Sequence, residues 1–259
     1  MSLASTIKHF IWKVLTKRMH LDYTLRSGIN VIVRNYADWC TYNDLFVNGE
    51  YREAIDDAIA EWTPNAGKER LCVLDLGANT GYFTLQMADI FLHKCPIGEL
   101  AIRSIEASPM VAEELSRRLN IPGTRVDAKM VNGLAGQREG AATLNLGKED
   151  TVNFVGDKAD GEQWEGTRGA KTVNYVNLDS LTAEMPVVHL IKCDIEGSEF
   201  AFLDNYADLL RKTRRIAIEF HSHFGDIARA TETLKQMGFT RVTTSRESAL
   251  APTIYFSRT

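Results

Sequence analysis

Cysteine is scarce in this chain of 259 residues, and the four cysteines present are scattered. They form no C-x-x-C pair and no cluster with histidine, so the sequence offers no zinc site. Cys72 and Cys193 stand in apolar runs, which predicts buried thiols. Unpaired cysteines are typical of a reducing compartment, and we therefore expect a cytoplasmic protein.

Excess positive charge, paired prolines and long apolar runs are also lacking. The formal net charge is −4, whereas nucleic-acid-binding domains normally carry a basic patch. Enzymes that methylate amino groups of nucleic acids usually contain a Pro-Pro pair, which is absent here. A membrane-spanning helix needs about 20 apolar residues. We expect no nucleic-acid partner and no membrane span, while the oligomeric state stays open.

Turn-forming residues from Thr63 to Gly67 divide the chain. We assign residues 1–66 to an N-terminal extension made of a helix, a hairpin and a helix, and residues 67–259 to the main domain. The apolar content of 44% is sufficient for a core. From Leu71 onward, short apolar runs alternate with segments of helical spacing, which predicts a doubly wound α/β sheet.

The first apolar run of the main domain, Leu71 to Leu76, contains Asp75 and leads into a glycine-rich turn. This pattern predicts a buried parallel strand, a tight turn and a helix. Glycine tolerates positive φ, and a turn without Cβ atoms lets a ligand approach the backbone. Ligands bind outside the carboxyl ends of such strands. The cofactor-binding candidates here are Asp75 near the end of the strand, and Gly77, Ala78, Asn79 and Gly81 in the turn.

The choice of cofactor depends on the residues in and beyond this turn. Asn79 and Tyr82 stand where a dinucleotide fingerprint needs glycine, and the chain has no G-x-x-x-x-G-K-[ST] phosphate loop. The second apolar run ends at Glu106, followed by Ala107, and such an acid accepts hydrogen bonds from ribose hydroxyls. Acids at the ends of two neighbouring strands favour S-adenosylmethionine (SAM). Asn132, near the end of the third strand, is a candidate for contact with adenine.

Several segments resemble the FkbM family of SAM-dependent methyltransferases. They lie, in chain order, at residues 75–84, 105–109, 176–181, 190–199, 218–221 and 238–239. The K-x-D-x-E-G-x-E segment from Lys192 to Glu199 is the most specific of them. The resemblance implies a Rossmann-like class I methyltransferase sheet with an antiparallel last strand and helices on both faces. It also implies O-methylation of a small-molecule hydroxyl acceptor, a sugar or a polyketide-like natural product, by in-line methyl transfer.

Methylation of a hydroxyl requires removal of a proton by a base or a metal. The ends of the predicted fourth and fifth strands bring together Asp194, Glu219 and His221 as catalytic candidates. His221 is the first candidate base because its reference pKa is about 6.5, with a structural, hydrogen-bonded histidine at the strand end as the alternative. Asp194 is the second, with an ion pair to Lys192 as the alternative. Bound Mg²⁺ is an alternative that we do not favour, because carboxylates beside a cationic cofactor need no metal, and we predict no metal ligands.

A polar, glycine-rich segment at about 147–171 interrupts the pattern. We interpret it as an insertion, either a lid that packs Phe154 or Trp164 on the acceptor or a surface loop. In the extension, Arg34, Asp44 and Tyr51 match the family loosely. Surface roles are favoured for them, with a position at the border of the acceptor site as the alternative.

Two other functions stay open. A nicotinamide-dependent oxidoreductase is disfavoured because the gap between Gly77 and Glu106 exceeds the about 20 residues of the dinucleotide motif. The second is a non-catalytic module that binds SAM or a partner on the same fold.

Overall fold

The computed structural model describes residues 21–147, 153–155 and 167–258. The strands are β1 Leu21–Thr24, β2 Asn30–Val33, β3 Leu71–Leu76, β4 Leu100–Glu106, β5 Val126–Asn132, β6 Ala141–Gly147, β7 Asn153–Val155, β8 Thr167–Asn174, β9 Leu190–Cys193, β10 Arg215–Glu219, β11 Arg241–Arg246 and β12 Thr253–Ser257. The α-helices are α1 Tyr36–Tyr42, α2 Arg52–Trp62, α3 Tyr82–Lys94, α4 Pro109–Arg118, α5 Leu178–Leu181, α6 Glu199–Asn205, α7 Ala207–Arg211 and α8 Ile227–Gln236. A π-helix covers Asn43–Val47 and a 3₁₀ turn covers Thr63–Asn65.

The central sheet has seven strands in the order β11-β12-β10-β9-β3-β4-β5. β3, β4, β5, β9 and β10 run parallel, and β12 is antiparallel to both β10 and β11. The chain moves from β3 outward to β5 and returns on the other side of β3 as β9, which creates a topological switch point at the carboxyl ends. The predicted α/β Rossmann-like class, with an antiparallel last strand, is confirmed.

Alternate residues of β3 face opposite sides of the sheet, and both sides are covered by helices. Leu71 and Val73 join a core cluster with residues of α2 and α3, while Leu74 and Leu76 join a second cluster with residues of α6, α7 and α8. Every residue of β3 and β4 is buried, as expected for parallel strands covered on both faces. Cys72 and Cys193 are buried and free, so the predicted buried thiols are confirmed.

The segment before the sheet packs into the first of these clusters. β1 and β2 pair as the predicted hairpin, and α2 is the predicted second helix. Ile29, Val31, Ile55 and Trp62 are buried beside the sheet residues. The boundary between residues 66 and 67 stays a prediction, and the helix predicted for the first 20 residues lies outside the described residues.

The insertion contains more regular structure than the sequence indicated. β6, β7 and β8 form an antiparallel sheet in the order β7-β6-β8. β8 pairs with β6 from Asn174↔Ala141 to Thr167↔Gly147, so the loop predicted to extend to residue 171 is wrong at its C-terminal part. Polar, glycine-rich strands show little hydrophobic alternation, so the sequence pattern did not indicate them. Trp164 and the side chain of Phe154 lie outside the described part, and the lid stays a prediction.

Across the described ranges, no helix combines the length and the apolar character that crossing a membrane would require.

Candidate functional site

Two adjoining cavities lie at the carboxyl ends of the central strands. The first, which we call the Glu106 cleft, has a volume of about 630 Å³ and lies against the ends of β3, β4 and β9. The second, which we call the Tyr51 cavity, has a volume of about 620 Å³ and lies between β3, β9, β10 and the segment before α2. Gly77, Asn79 and Asp194 line both cavities. The switch point therefore presents two compartments that share one wall.

The glycine-rich turn after β3 is held in a left-handed conformation. Gly77 has φ +73°, Asn79 +48° and Gly81 +93°. A Cβ on Gly77 would stand 1.7 Å from the carbonyl oxygen of Asp194, so glycine is required where the turn approaches the end of β9. The backbone N–H groups of Gly77 and Ala78 donate to the carbonyl of Ile105 over 3.0 and 2.9 Å. These contacts fix the turn against both neighbouring strands.

Glu106 lines the cleft and holds its rim. One carboxylate oxygen accepts the N–H of Asn79 at 2.9 Å, and the other accepts the N–H of Ser108 at 2.8 Å. Burial raises the pKa of Glu106, and the two backbone hydrogen bonds oppose this shift. Ala107 lines the same cleft. The predicted Glu106 position thus contributes a carboxylate directly to the cavity.

Asp75 lies below the turn and lines neither cavity. Its side chain is fully buried, accepts a hydrogen bond from the Thr84 hydroxyl at 2.7 Å and lies 3.5 Å from Nζ of Lys192. Lys192 also donates to the carbonyl of Gly77 at 2.6 Å. Burial raises the pKa of Asp75, although Lys192 favours its charged form. Direct contact of Asp75 with a ligand would require the turn above it to open.

Asn132 supports the cleft from behind. Its amide donates to the carbonyls of Glu106 and Ala107 over 2.8 and 3.1 Å, and its side chain does not line the cavity. The following residues, Leu134 and Ala135, line it together with Leu144 of β6. Sequence reasoning missed this apolar wall because Leu144 reaches the cleft from the small sheet.

The Tyr51 cavity is rich in charged groups. Glu219 forms an ion pair with Arg246, and Nε of Arg246 lies 3.4 Å from Glu50. Burial and then the charge of Asp194 raise the pKa of Glu219 to about 8. Burial likewise raises the pKa of Glu50. At neutral pH, Glu219 therefore retains its proton.

His221 does not line either cavity, and both of its ring nitrogens are engaged. Nδ1 lies 3.0 Å from Oε1 of Glu199, and Nε2 lies 3.2 Å from Oε2 of Glu196. Burial lowers the pKa of His221, but the hydrogen bonds to Glu196 and Glu199 outweigh this effect and raise it to about 11. Oε1 of the fully buried Glu199 also accepts the N–H groups of Ile195 and Gly197. The histidine thus belongs to the network that shapes the loop after β9.

Asp194, Glu219 and His221 are brought together as predicted, with one ligand atom of each within 4.8 Å of the others. Each has a protein partner of opposite charge. Asp194 lies 3.8 Å from Lys192, Glu219 pairs with Arg246, and His221 pairs with two glutamates. Each of the three residues thus has a protein partner, and the absence of metal ligands stays a prediction.

Sequence reasoning underrated the segment that precedes the sheet. Tyr51 is 3% exposed and lines the second cavity, so the favoured surface role is wrong for it. Glu50 and Arg246 were not singled out, and no short motif marks them. The segment also reaches the turn: the buried Asp38 accepts hydrogen bonds from Arg118 at 3.1 Å and from the Thr80 hydroxyl at 3.4 Å.

Comparison with known proteins places this architecture in a family. The profile of the methyltransferase FkbM domain matches residues 75–241. No curated protein matches the chain significantly. Solved structures with a similar fold include fibrillarin from Aeropyrum pernix in complex with natively bound S-adenosyl-L-methionine, at 14% identity with a TM-score of 0.40, covering 73% of this chain and 67% of that one.

Two further structures show the same level of similarity. A putative O-methyltransferase from Klebsiella pneumoniae has 14% identity and a TM-score of 0.40 over 80% of each chain. The METTL16 MTase domain has 10% identity and a TM-score of 0.46 over 92% of this chain and 86% of that one. At these scores the likenesses carry no argument about chemistry. The profile match spans more than half of the sequence, and the chain belongs to the FkbM methyltransferase family.

Proposed function

We propose that the protein is a SAM-dependent O-methyltransferase that binds the cofactor in the Glu106 cleft and a hydroxyl acceptor in the Tyr51 cavity. The observation that carries this proposal is the position of Asp194, which lines both cavities. In-line transfer requires donor and nucleophile to meet about 3–3.5 Å apart. Two compartments that join at a carboxylate would let the donor and the acceptor approach each other there.

The residues of the Glu106 cleft fit the proposed cofactor. Each oxygen of Glu106 uses one lone pair on a backbone N–H, which leaves acceptor capacity for two ribose hydroxyls. Leu134, Ala135 and Leu144 offer an apolar surface for adenine. When bound, the cofactor supplies a methyl group on a cationic sulfur that leaves as a neutral thioether.

The other cofactor-binding candidates either line one of the two cavities or position the residues that do. Gly77, Asn79 and Ala107 line the cleft, and Ala78 lines the adjoining cavity. Gly81 begins α3 at a position where a Cβ would stand 2.4 Å from Leu115. It positions the turn, as Asn132 positions the cleft wall.

In the acceptor cavity, Asp194 takes the proton of the hydroxyl as the oxygen attacks the methyl group. Glu219 lies beside Asp194, and the two carboxyl groups share their negative charge. Lys192 holds Asp194 against the turn. We assign His221 to positioning, because Glu196 and Glu199 occupy both of its nitrogens. None of these roles requires Mg²⁺.

The acceptor is a hydroxyl on a sugar or a polyketide-like molecule, as the family resemblance implies. The net charge of −4 supports a small-molecule acceptor over a nucleic acid. The free cysteines support a cytoplasmic location.

Calorimetry with SAM and NAD tests the cofactor. We expect SAM to bind and NAD not to bind, whereas NAD binding of equal strength would support an oxidoreductase. Glu106→Gln should weaken SAM binding at least about tenfold, since a hydrogen bond to a charged group contributes about 1.5–3 kcal/mol. Glu99→Gln, an exposed acid immediately before β4, is the matched control and should bind SAM like the parent protein.

Turnover with methyl-labelled SAM and a panel of sugar and macrolide hydroxyls tests the chemistry. Asp194→Asn should lower turnover about 100-fold, the usual contribution of a general base, while SAM binding stays within about threefold. Asp204→Asn, on the exposed face of α6, serves as the control. Undiminished turnover of Asp194→Asn would remove the base role from this residue. A parent protein that binds SAM and methylates no acceptor would favour the non-catalytic module.

A further inference from the structure

The two cavities draw on different parts of the chain. Every residue that lines the Glu106 cleft lies within residues 75–241, the region matched by the family profile. The Tyr51 cavity takes a large share of its wall from outside that region, namely Thr41, Asp44, Leu45, Glu50, Tyr51 and Arg246. The part of the chain outside the matched region thus contributes mainly to the proposed acceptor cavity. Acceptor choice should depend on these residues, so their chemistry indicates what they select.

The charges around the Tyr51 cavity do not balance. Two cations, Lys192 and Arg246, line it, and Lys192 is shared between Asp75 below the turn and Asp194. Arg246 is shared between Glu50 and Glu219. The carboxylates in this group are Asp44, Glu50, Asp75, Asp194 and Glu219. Because Glu219 is mostly protonated at neutral pH, four ionised acids against two cations leave two negative charges, and a bound sulfonium would reduce the excess to one.

Asp44 is the acid in this set without a cation in reach. Among the described residues, no lysine, arginine or histidine lies within 4 Å of its carboxylate, which accepts one hydrogen bond from the amide of Asn48 at 3.2 Å. Its backbone carbonyl accepts the N–H of Glu50, which keeps the two acids on the same wall. This wall therefore presents a charge that the protein itself does not neutralise.

Tyr51 adds an independent sign of a bound ligand. The residue is 3% exposed and lines the cavity, and its hydroxyl makes no hydrogen bond to any residue in the described part of the chain. Its ring packs edge-on against Phe83, with 5.5 Å between centroids, so the hydroxyl is held in place. The hydroxyl group is accessible from the cavity, so it can donate a hydrogen bond to an oxygen of a bound ligand.

Resting on the proposed function, we propose that the Tyr51 cavity selects a hydroxylated acceptor that carries a protonated amine. The ammonium group binds the wall formed by Asp44 and Glu50, the Tyr51 hydroxyl donates to an oxygen of the acceptor, and the reacting hydroxyl faces Asp194. A neutral acceptor leaves the excess negative charge uncompensated, and an anionic acceptor adds to it. Methyl transfer goes to oxygen, with the hydroxyl proton passing to Asp194, while the amine serves as the anchor.

The titration of the cavity supports this selection. Burial raises the pKa of Glu50, and burial together with Asp194 raises the pKa of Glu219 to about 8. The pKa of Tyr51 is raised by burial and then by Asp194, so the phenol remains a donor. An entering ammonium group would stabilise the charged forms of both glutamates, which adds to its binding free energy.

Acceptor pairs in which the charged amine of one member is replaced by a neutral amide in the other test the proposal. The probes are methyl glycosides of glucosamine, of N-acetylglucosamine and of glucuronic acid, together with further amino sugars and their N-acetyl forms. Binding is measured by calorimetry on the full chain saturated with S-adenosylhomocysteine, which prevents turnover. In at least one pair the free amine should bind at least about tenfold more tightly than its N-acetyl form, as expected for charge-assisted hydrogen bonds. The glucuronide should bind weakest.

Variants then locate the preference. Asp44→Asn should reduce the ratio between amine and N-acetyl affinities at least about fivefold, and Tyr51→Phe should weaken both members of a pair about fivefold. Asp204→Asn is the surface control. Equal affinities within every pair, no binding by any amine, or a methyl group found on nitrogen would overturn the proposal. These outcomes are distinct from failure of the proposed function, which would appear as loss of SAM binding in the same preparation.

Discussion

The close contact between Gly77 and the end of β9 leads to a sharp prediction about Gly77→Ala. The added Cβ would stand 1.7 Å from the carbonyl oxygen of Asp194, a backbone atom that no side-chain rotation can move. Gly67→Ala is the matched control. Gly67 has nearly the same left-handed conformation, φ +88° against +73°, but nothing lies within 4 Å of the position that its added Cβ would take.

The expected magnitudes combine two separate costs. Alanine in a left-handed conformation costs about 1–2 kcal/mol, and this cost is common to both variants. Only Gly77→Ala must also shift backbone to relieve a steric overlap, which costs about 1–3 kcal/mol more in a packed interior. The unfolding free energy of Gly77→Ala should therefore lie about 1–3 kcal/mol below that of Gly67→Ala. This corresponds to roughly 2–4 °C in Tm for each kcal/mol.

Urea denaturation followed by circular dichroism measures the difference, and calorimetry with SAM measures the functional effect. Gly77→Ala should also weaken SAM binding, because Gly77 lines the Glu106 cleft, and Gly67→Ala should not. Equal unfolding free energies for the two variants would refute the reasoning that β3 and β9 are locked together by this contact.

Three further predictions concern the surroundings of the site. Asp38→Asn should lower the unfolding free energy by about 2 kcal/mol in urea denaturation. This is less than the usual cost of breaking a buried ion pair, because Glu114 also binds Arg118. A change under about 0.5 kcal/mol would contradict this prediction. Turnover should rise with pH through about 8, because Glu219 then loses its proton and the pair of Asp194 and Glu219 can accept another. Glu219→Gln should remove this inflection from the pH–rate profile. A flat profile in the parent protein would argue against this pair as the proton acceptor. Turnover should persist in excess EDTA, and loss that Mg²⁺ restores would show a metal requirement.

Much of the central sheet was predictable because its middle strands are short, mainly apolar segments followed by turn residues. β3 was predicted with its observed bounds, and β4 and β10 were predicted to within one residue, since parallel strands buried on both faces are rich in apolar residues. The predicted helix after β9 is interrupted at Tyr206 and divides into α6 and α7. That break depends on tertiary contacts, including hydrogen bonds from the Tyr206 hydroxyl to the carbonyls of Gln137 and Val176.

Only part of the site could be predicted from the sequence. Glu106 and Asp194 follow from the rule that ligands bind at strand ends, and both line the Glu106 cleft. The pairing of His221 with Glu196 and Glu199 could not be read from spacing, because Glu196 adopts φ +50° and turns back toward β10. The role of Tyr51 depends on packing between segments far apart in the chain. Local patterns report burial and period, and they do not report which distant side chains meet.

The shared packing of the hairpin, α2 and the sheet restricts how this enzyme could be remodelled by protein engineering. Tyr51 stacks edge-on against Phe83, and Trp62 contacts Phe91 with 5.6 Å between ring centroids. A fragment starting at residue 67 would leave these phenylalanines exposed to water, and we expect it to aggregate. Acceptor preference should therefore be changed by exchanging single side chains of the cavity. If the whole segment were moved into a homologue, the aromatic residues that it packs against would have to be moved with it.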